Sequence, residues 1–142
     1  MKITLITTGS TADNGPGKIA GYLQRYNHKI EVIFYNENEL KQTLSKCKNT
    51  DLIVVSANSV TNKIVSILIK HLKKLKKPIV YAGIYAVLHP EECTKEIDLV
   101  ITSNPKETVL ELANRLENFQ KISDIPNLLF KNLKRERIYN YN

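Results

Sequence analysis

At 142 residues, the chain is the size of one domain and long enough to bury a core without staples. Its 42% hydrophobic and 25% charged residues exclude a disordered chain, and no apolar run approaches the roughly 20 residues that span a bilayer. The net charge of +7 invites a nucleic-acid partner, a reading that depends on where the charge lies along the chain.

The first apolar run, Ile3 to Thr7, is rich in β-branched residues and reads as a strand. The N-terminus has no basic stretch followed by a long apolar core and cleavage site, so no signal peptide is expected and the protein is expected to be cytoplasmic. Ile19, Leu23 and Tyr26 then fall at helical spacing, before a second strand from Ile30 to Tyr35. Leu40, Leu44 and Cys47 outline a second helix, and Leu52 to Val55 a third strand. Val60, Ile64, Ile67, Leu68, His71, Leu72 and Leu75 predict one apolar stripe along a third helix. That helix carries Lys70, Lys73, Lys74, Lys76 and Lys77 on its polar side and in the following loop. No aromatic platform interrupts these lysines, so they read as a solvated face and nucleic acid is not an expected partner.

Ile79 to Tyr81 forms the fourth strand. A short helix opens at Pro90, where Glu91 and Glu92 complement the helix dipole. Leu99 to Thr102 is the fifth strand, and Val109, Leu112, Ala113 and Leu116 mark the last helix. Strand and helix alternating five times predict right-handed crossovers. The expected fold is therefore a flavodoxin-like, doubly wound, five-stranded parallel sheet with helices on both faces. The α/β domain is expected over residues 1–120. A C-terminal extension over 121–142 follows, with Leu128-Leu129-Phe130 and Glu136-Arg137-Ile138 as arms of a small hairpin.

Cys47 and Cys93 have no metal-type spacing and sit at apolar helix positions, so they read as buried free thiols. His28 reads as a surface residue after the first helix, His71 as a core histidine and His89 as the start of the short helix. None lies close to a serine or cysteine in sequence, and no catalytic residue or protein metal ligand is assigned.

In parallel sheets of this kind ligands bind beyond the carboxyl ends of the strands. Three loops there are rich in small residues, which let a large flat ligand approach the backbone. From the first come Thr8, Gly9, Ser10, Thr11, Asn14 and Gly17; from the second, Ser56, Ala57, Asn58 and Ser59; from the third, Ala82, Gly83 and Tyr85. Ser103, after the fifth strand, completes the candidate set. Small residues are also common in tight strand-to-helix turns, and that reading stays open for each position singly.

Several segments resemble one family, the cobalamin-binding domain found N-terminal to radical SAM enzymes. Gly15-Pro16-Gly17-Lys18-Ile19-Ala20-Gly21-Tyr22-Leu23 is similar to its first loop and helix, and Asp51 to Ser56 to its third strand. The most specific stretch is Ala82-Gly83-Ile84-Tyr85-Ala86-Val87-Leu88-His89-Pro90-Glu91-Glu92, where the family writes Gly-Gly-x-His-x-Thr and then Pro-Glu-Glu. Ile125-Pro126-Asn127-Leu128 resembles the family's Ile-Pro-Gly-Leu. Tyr85 and Val87 replace the family's histidine and threonine, and Ser103 to Glu107 replaces its Gly-Glu-Gly-Glu turn. The cobalt-ligating Asp-x-His-x-x-Gly of some members is absent, as is any Cys-x-x-x-Cys-x-x-Cys.

The resemblance implies a cobalamin-binding module, metal-binding only through the cobalt of cobalamin. A radical SAM catalytic domain or partner protein would perform the chemistry. Two alternatives remain at this point. One is an electron-transfer flavodoxin holding FMN at the hydroxyl-rich Thr7 to Thr11 loop. The other is a degenerate domain kept for protein contact, such as a homodimer, through the basic third helix or the C-terminal hairpin.

Overall fold

The computed structural model describes residues 1–8 and 14–130. The parallel core of the sheet consists of β1 (Lys2–Thr7), β2 (Lys29–Phe34), β3 (Leu52–Ser56), β4 (Ile79–Ala82) and β5 (Leu99–Ile101). β6 (Leu128–Phe130) adds to the free edge of β5 in the antiparallel sense, giving the order β2-β1-β3-β4-β5-β6. The first five strands thus follow the flavodoxin-like order, in a Rossmann-like α/β architecture.

The expected count of five strands is corrected to six among the described residues. After the last helix the chain runs back along the sheet, burying Ile122 and Ile125, and a positive φ at Asn127 turns it into β6 from the carboxyl edge. Leu128 is then buried and Leu129 exposed, the alternation of a strand at a sheet edge. The second arm of the expected hairpin, Glu136-Arg137-Ile138, lies outside the described residues, as do the basic residues from Lys131 to Arg137.

The helices are α1 (Asn14–Gln24), α2 (Leu40–Cys47), α3 (Asn62–Leu72), α4 (Ile84–Leu88), α5 (Pro90–Thr94) and α6 (Pro105–Glu117). One apolar layer joins α1 and α6 to the sheet through Ile19, Leu23, Val109, Leu112, Ala113 and Leu116, packed over Leu5, Val54 and Val80. The other lies under α2 to α5, with Cys47, Val65, Leu68, Leu72, Ala86 and Cys93 against Ile53, Val55 and Tyr81. Among the described residues no helix is long and apolar enough to cross a membrane.

Three local expectations change. The buried stripe of α3 is Val65, Leu68, Ile69 and Leu72, whereas Val60 and Ile67 are exposed. The shift arises because the turn at Thr61 starts the helix after Val60, so Val60 has no place on the helical face. α1 ends at Gln24, leaving Tyr26 half exposed in the turn. His28 is buried: the amino group of Met1 donates to its Nδ1 at 3.1 Å, and its Nε2 lies 2.8 Å from Asn114 Oδ1. That arrangement ties the start of β2 to α6.

Both cysteines are free and buried. Burial pushes the Cys47 thiol up to about 11 and Cys93 to about 12, against 9.0 for an ordinary thiol. An unfolded chain releases these protons near pH 9 while the folded one retains them. Stability is therefore full below pH 9 and falls as pH rises from there towards 11. Urea unfolding at pH 8 and pH 10 checks this, with a lower midpoint expected at pH 10. Tyr81 offers a second test, because its buried hydroxyl has no hydrogen-bond partner among the described residues. Replacing Tyr81 by Phe removes an unsatisfied polar group, so the variant is expected to be more stable by about 1 kcal/mol in the same assay.

Candidate functional site

The parallel register brings the strand tips into one row: Thr7 lies opposite Ser56, and Ser56 opposite Ala82. The three following loops therefore leave the sheet side by side. Gly83 has φ +88, a backbone conformation that disfavours other residues. A Cβ there would come within 2.3 Å of Ser56 Oγ, so the missing side chain lets the third loop close onto the second. The Tyr85 N–H then donates to the Ala57 carbonyl at 3.1 Å and locks the two loops together.

Hydroxyl and amide groups shape the second loop. Asn58 Oδ1 accepts from the Val60 and Thr61 N–H groups at 2.9 and 3.0 Å and from the Thr61 hydroxyl at 3.1 Å. The Thr8 hydroxyl donates to Thr61 Oγ1 at 2.7 Å, linking the first loop to the start of α3. Thr8 and Asn58 thus hold the edge of the sheet in shape.

Between these loops and the starts of α1 and α6 lies a cleft of about 500 Å³. Buried Leu5, Thr7 and Ile19 form its floor, and Ser56, Ala57, Asn58, Gly83 and Ile84 one wall. Gly15, Pro16 and Lys18 of α1 face Asn104, Pro105, Lys106 and Glu107 of α6 across the mouth. Lys106 Nζ sits 5.3 Å above the Tyr22 ring and 3.9 Å from Glu107 Oε1. The cleft suits a ligand with an extended apolar or flat body and a polar or anionic edge.

Of the candidate residues, Ser56, Ala57, Asn58 and Gly83 come together in the cleft wall. Asn14 and Gly17 belong to the first turns of α1, and Ala82 is the buried strand tip of β4, outside the lining. Ser59 and Ser103 are exposed and outside the lining, their carbonyls accepting from Asn62 and Thr108 respectively. Tyr85 turns into the opposite layer, stacked between Tyr81 and His89 at centroid distances of 6.1 and 4.9 Å. Gly9, Ser10 and Thr11 lie outside the described residues.

Sequence reasoning missed Lys18, Ile84 and the run from Asn104 to Glu107. The signal for the last was Asn104-Pro105, a proline opening a helix directly after a strand. Tyr85 is misplaced because its composition assigns it to the third loop, whereas it lies within the short helix α4. Among the described residues no group of three His, Cys, Asp or Glu could hold a metal ion.

The fold is similar to that of the radical S-adenosylmethionine methyltransferase TsrM from Kitasatospora setae, whose structure holds a tryptophan substrate and the SAM analogue aza-SAM. The TM-score is 0.83 at 15% identity, over 94% of this chain and 29% of that one. The present chain thus matches less than a third of TsrM, and a likeness at this identity is one of fold. No protein-family model and no curated protein matches the sequence.

The contact between Gly83 and Ser56 makes a direct prediction. Gly83→Ala is expected to destabilise the fold by roughly 1–3 kcal/mol, because strained backbone and a steric clash coincide there. Adding Ser56→Ala removes the clashing Oγ but not the strain, so the double variant should recover part of the loss in urea unfolding.

Proposed function

We propose that this chain is a cobalamin-binding module serving a radical SAM enzyme or partner protein. The observation that carries the reading is the cleft at the strand tips, floored by Leu5 and Ile19 and walled by Ser56, Ala57 and Gly83. Its fit to a corrin is physical. The apolar floor and small side chains suit a broad flat face, and the Asn104 amide at the margin suits a ring edged with amides. When bound, cobalamin supplies cobalt-centred alkyl-transfer chemistry. The likeness to a radical SAM methyltransferase and the Pro90-Glu91-Glu92 resemblance support the same class of partner.

In this reading the residues of the chain bind and orient. Gly83 and Ser56 keep the wall flat, Thr8 and Asn58 fix the loops that form it, and Ile19 and Leu5 exclude water from the buried face. Among the described residues the cleft lining holds neither histidine nor cysteine, so no cobalt ligand is assigned from it.

Titration of the purified protein with hydroxocobalamin tests the proposal. A shift of the visible bands together with co-elution of the red cofactor on gel filtration is expected. An unchanged spectrum and complete separation would overturn it, and binding of FMN instead would move the reading to the flavodoxin class.

A further inference from the structure

The charges around the cleft are unevenly placed. Lys18 is the sole charged residue of α1, and the first turn of that helix has no acid to offset its positive end. Among the described residues Lys18 makes no ion pair. Lys106 stands in the first turn of α6, where a cation meets the unfavourable positive end of the helix dipole. Among the described residues Glu107 is the only carboxylate in the cleft lining, and at 3.9 Å it pairs only loosely with Lys106.

The two lysines also share one seam. Lys18 and Tyr22 are four residues apart on α1 and so lie on one helical face, and Lys106 of α6 lies over that same Tyr22 ring. Two cations therefore line the same cleft, while Leu5 and Ile19 keep its floor largely apolar.

We infer that Lys18 and Lys106 form a phosphate subsite at the α1–α6 seam, for the phosphate group of the ligand whose body lies on the cleft floor. The inference rests on the proposed reading of the cleft as a ligand site, and it names the charge that such a ligand carries. A phosphate group bound by both ammonium groups offsets their mutual repulsion and the unfavourable placement of Lys106 in the first turn of α6. Both cofactor classes considered above carry one: cobalamin as a phosphodiester in its nucleotide loop, FMN as a monoester.

The test compares each cofactor with its phosphate-free counterpart. Hydroxocobalamin is set against cobinamide, and FMN against riboflavin, each titrated into the parent protein, the variant K18Q/K106Q and the control K70Q/K73Q. The control removes the same charge from the basic end of α3, away from the cleft. The parent is expected to bind one phosphate-bearing cofactor. K18Q/K106Q should weaken that cofactor about tenfold or more and change its phosphate-free counterpart less than about twofold. K70Q/K73Q should match the parent, and K18R/K106R should retain most of the affinity.

Equal binding of the phosphate-bearing cofactor by the parent and K18Q/K106Q would overturn the subsite while leaving the proposed function standing. So would equal weakening of both members of a pair, or an equal effect in the control. A parent that binds none of the four compounds would overturn both. Circular dichroism melting of each variant separates a lost subsite from a lost fold: a melting point within a few degrees of the parent is required for a loss of affinity to support the subsite.

Discussion

The hydrogen-bonded placement of β3 between β1 and β4 is the constraint on which the rest of the molecule depends. Because all three strands run the same way in a fixed register, Thr7, Ser56 and Ala82 end in one row. The chain must leave the sheet at three adjacent points. At the third exit a side chain would collide, since even a methyl group at Gly83 would strike Ser56. Small residues at this edge thus have two causes that act together: they permit the sheet to end tightly, and they leave an open cleft above it. The strand order adds the second condition, because the chain moves from β1 to β2 on one side and to β3 on the other, so the crossovers diverge there.

Much of the fold was legible because the strands are buried on both faces. Runs such as Leu52 to Val55 have to be continuously apolar, and no helix of a surface layer reads that way. The helix–strand alternation followed, and with it the parallel sheet. What escaped were features set by tertiary contact. His28 looked like a solvated residue after a helix, but its ring is buried by Met1 and Asn114, the latter 86 positions away in sequence. The phase of α3 could not be read from its aliphatic residues, because Val60, Ile64 and Ile67 form a second periodic set beside Val65, Leu68 and Leu72. Which set faces the sheet depends on where Thr61 begins the helix. β6 escaped because three apolar residues after a turn fit a hairpin arm as well as an edge strand.

The candidate site was legible in a more limited way. Residues inside the loops were visible from composition, since a cluster such as Ser56-Ala57-Asn58 is conspicuous between a strand and a helix. Residues that reach the cleft from a helix were not. Lys18 and Lys106 look like two of the chain's many surface lysines, and only the packing of α1 against α6 places them at one mouth. Tyr85 erred in the opposite direction: its neighbour Gly83 faces the cleft, but two residues on, within α4, the side chain is carried into the other layer.

The cleft also divides its polar groups by role. Those of Thr8, Asn58 and Thr61 are engaged with one another and with backbone N–H groups, so they stiffen the loops and are poorly placed to bond a ligand without breaking a turn. Among the described residues, the groups left at the margin are the Lys18 and Lys106 ammonium ions, the Asn104 amide and the Glu107 carboxylate, all borne near the starts of α1 and α6. Rigid wall and charged mouth are therefore built by different elements. A wall fixed by its own hydrogen bonds loses little entropy when a flat body settles on it, while long side chains at the mouth adjust to the charged end. Such a site is suited to holding a large cofactor in one orientation, with reactive chemistry carried by the bound group or by a protein facing it.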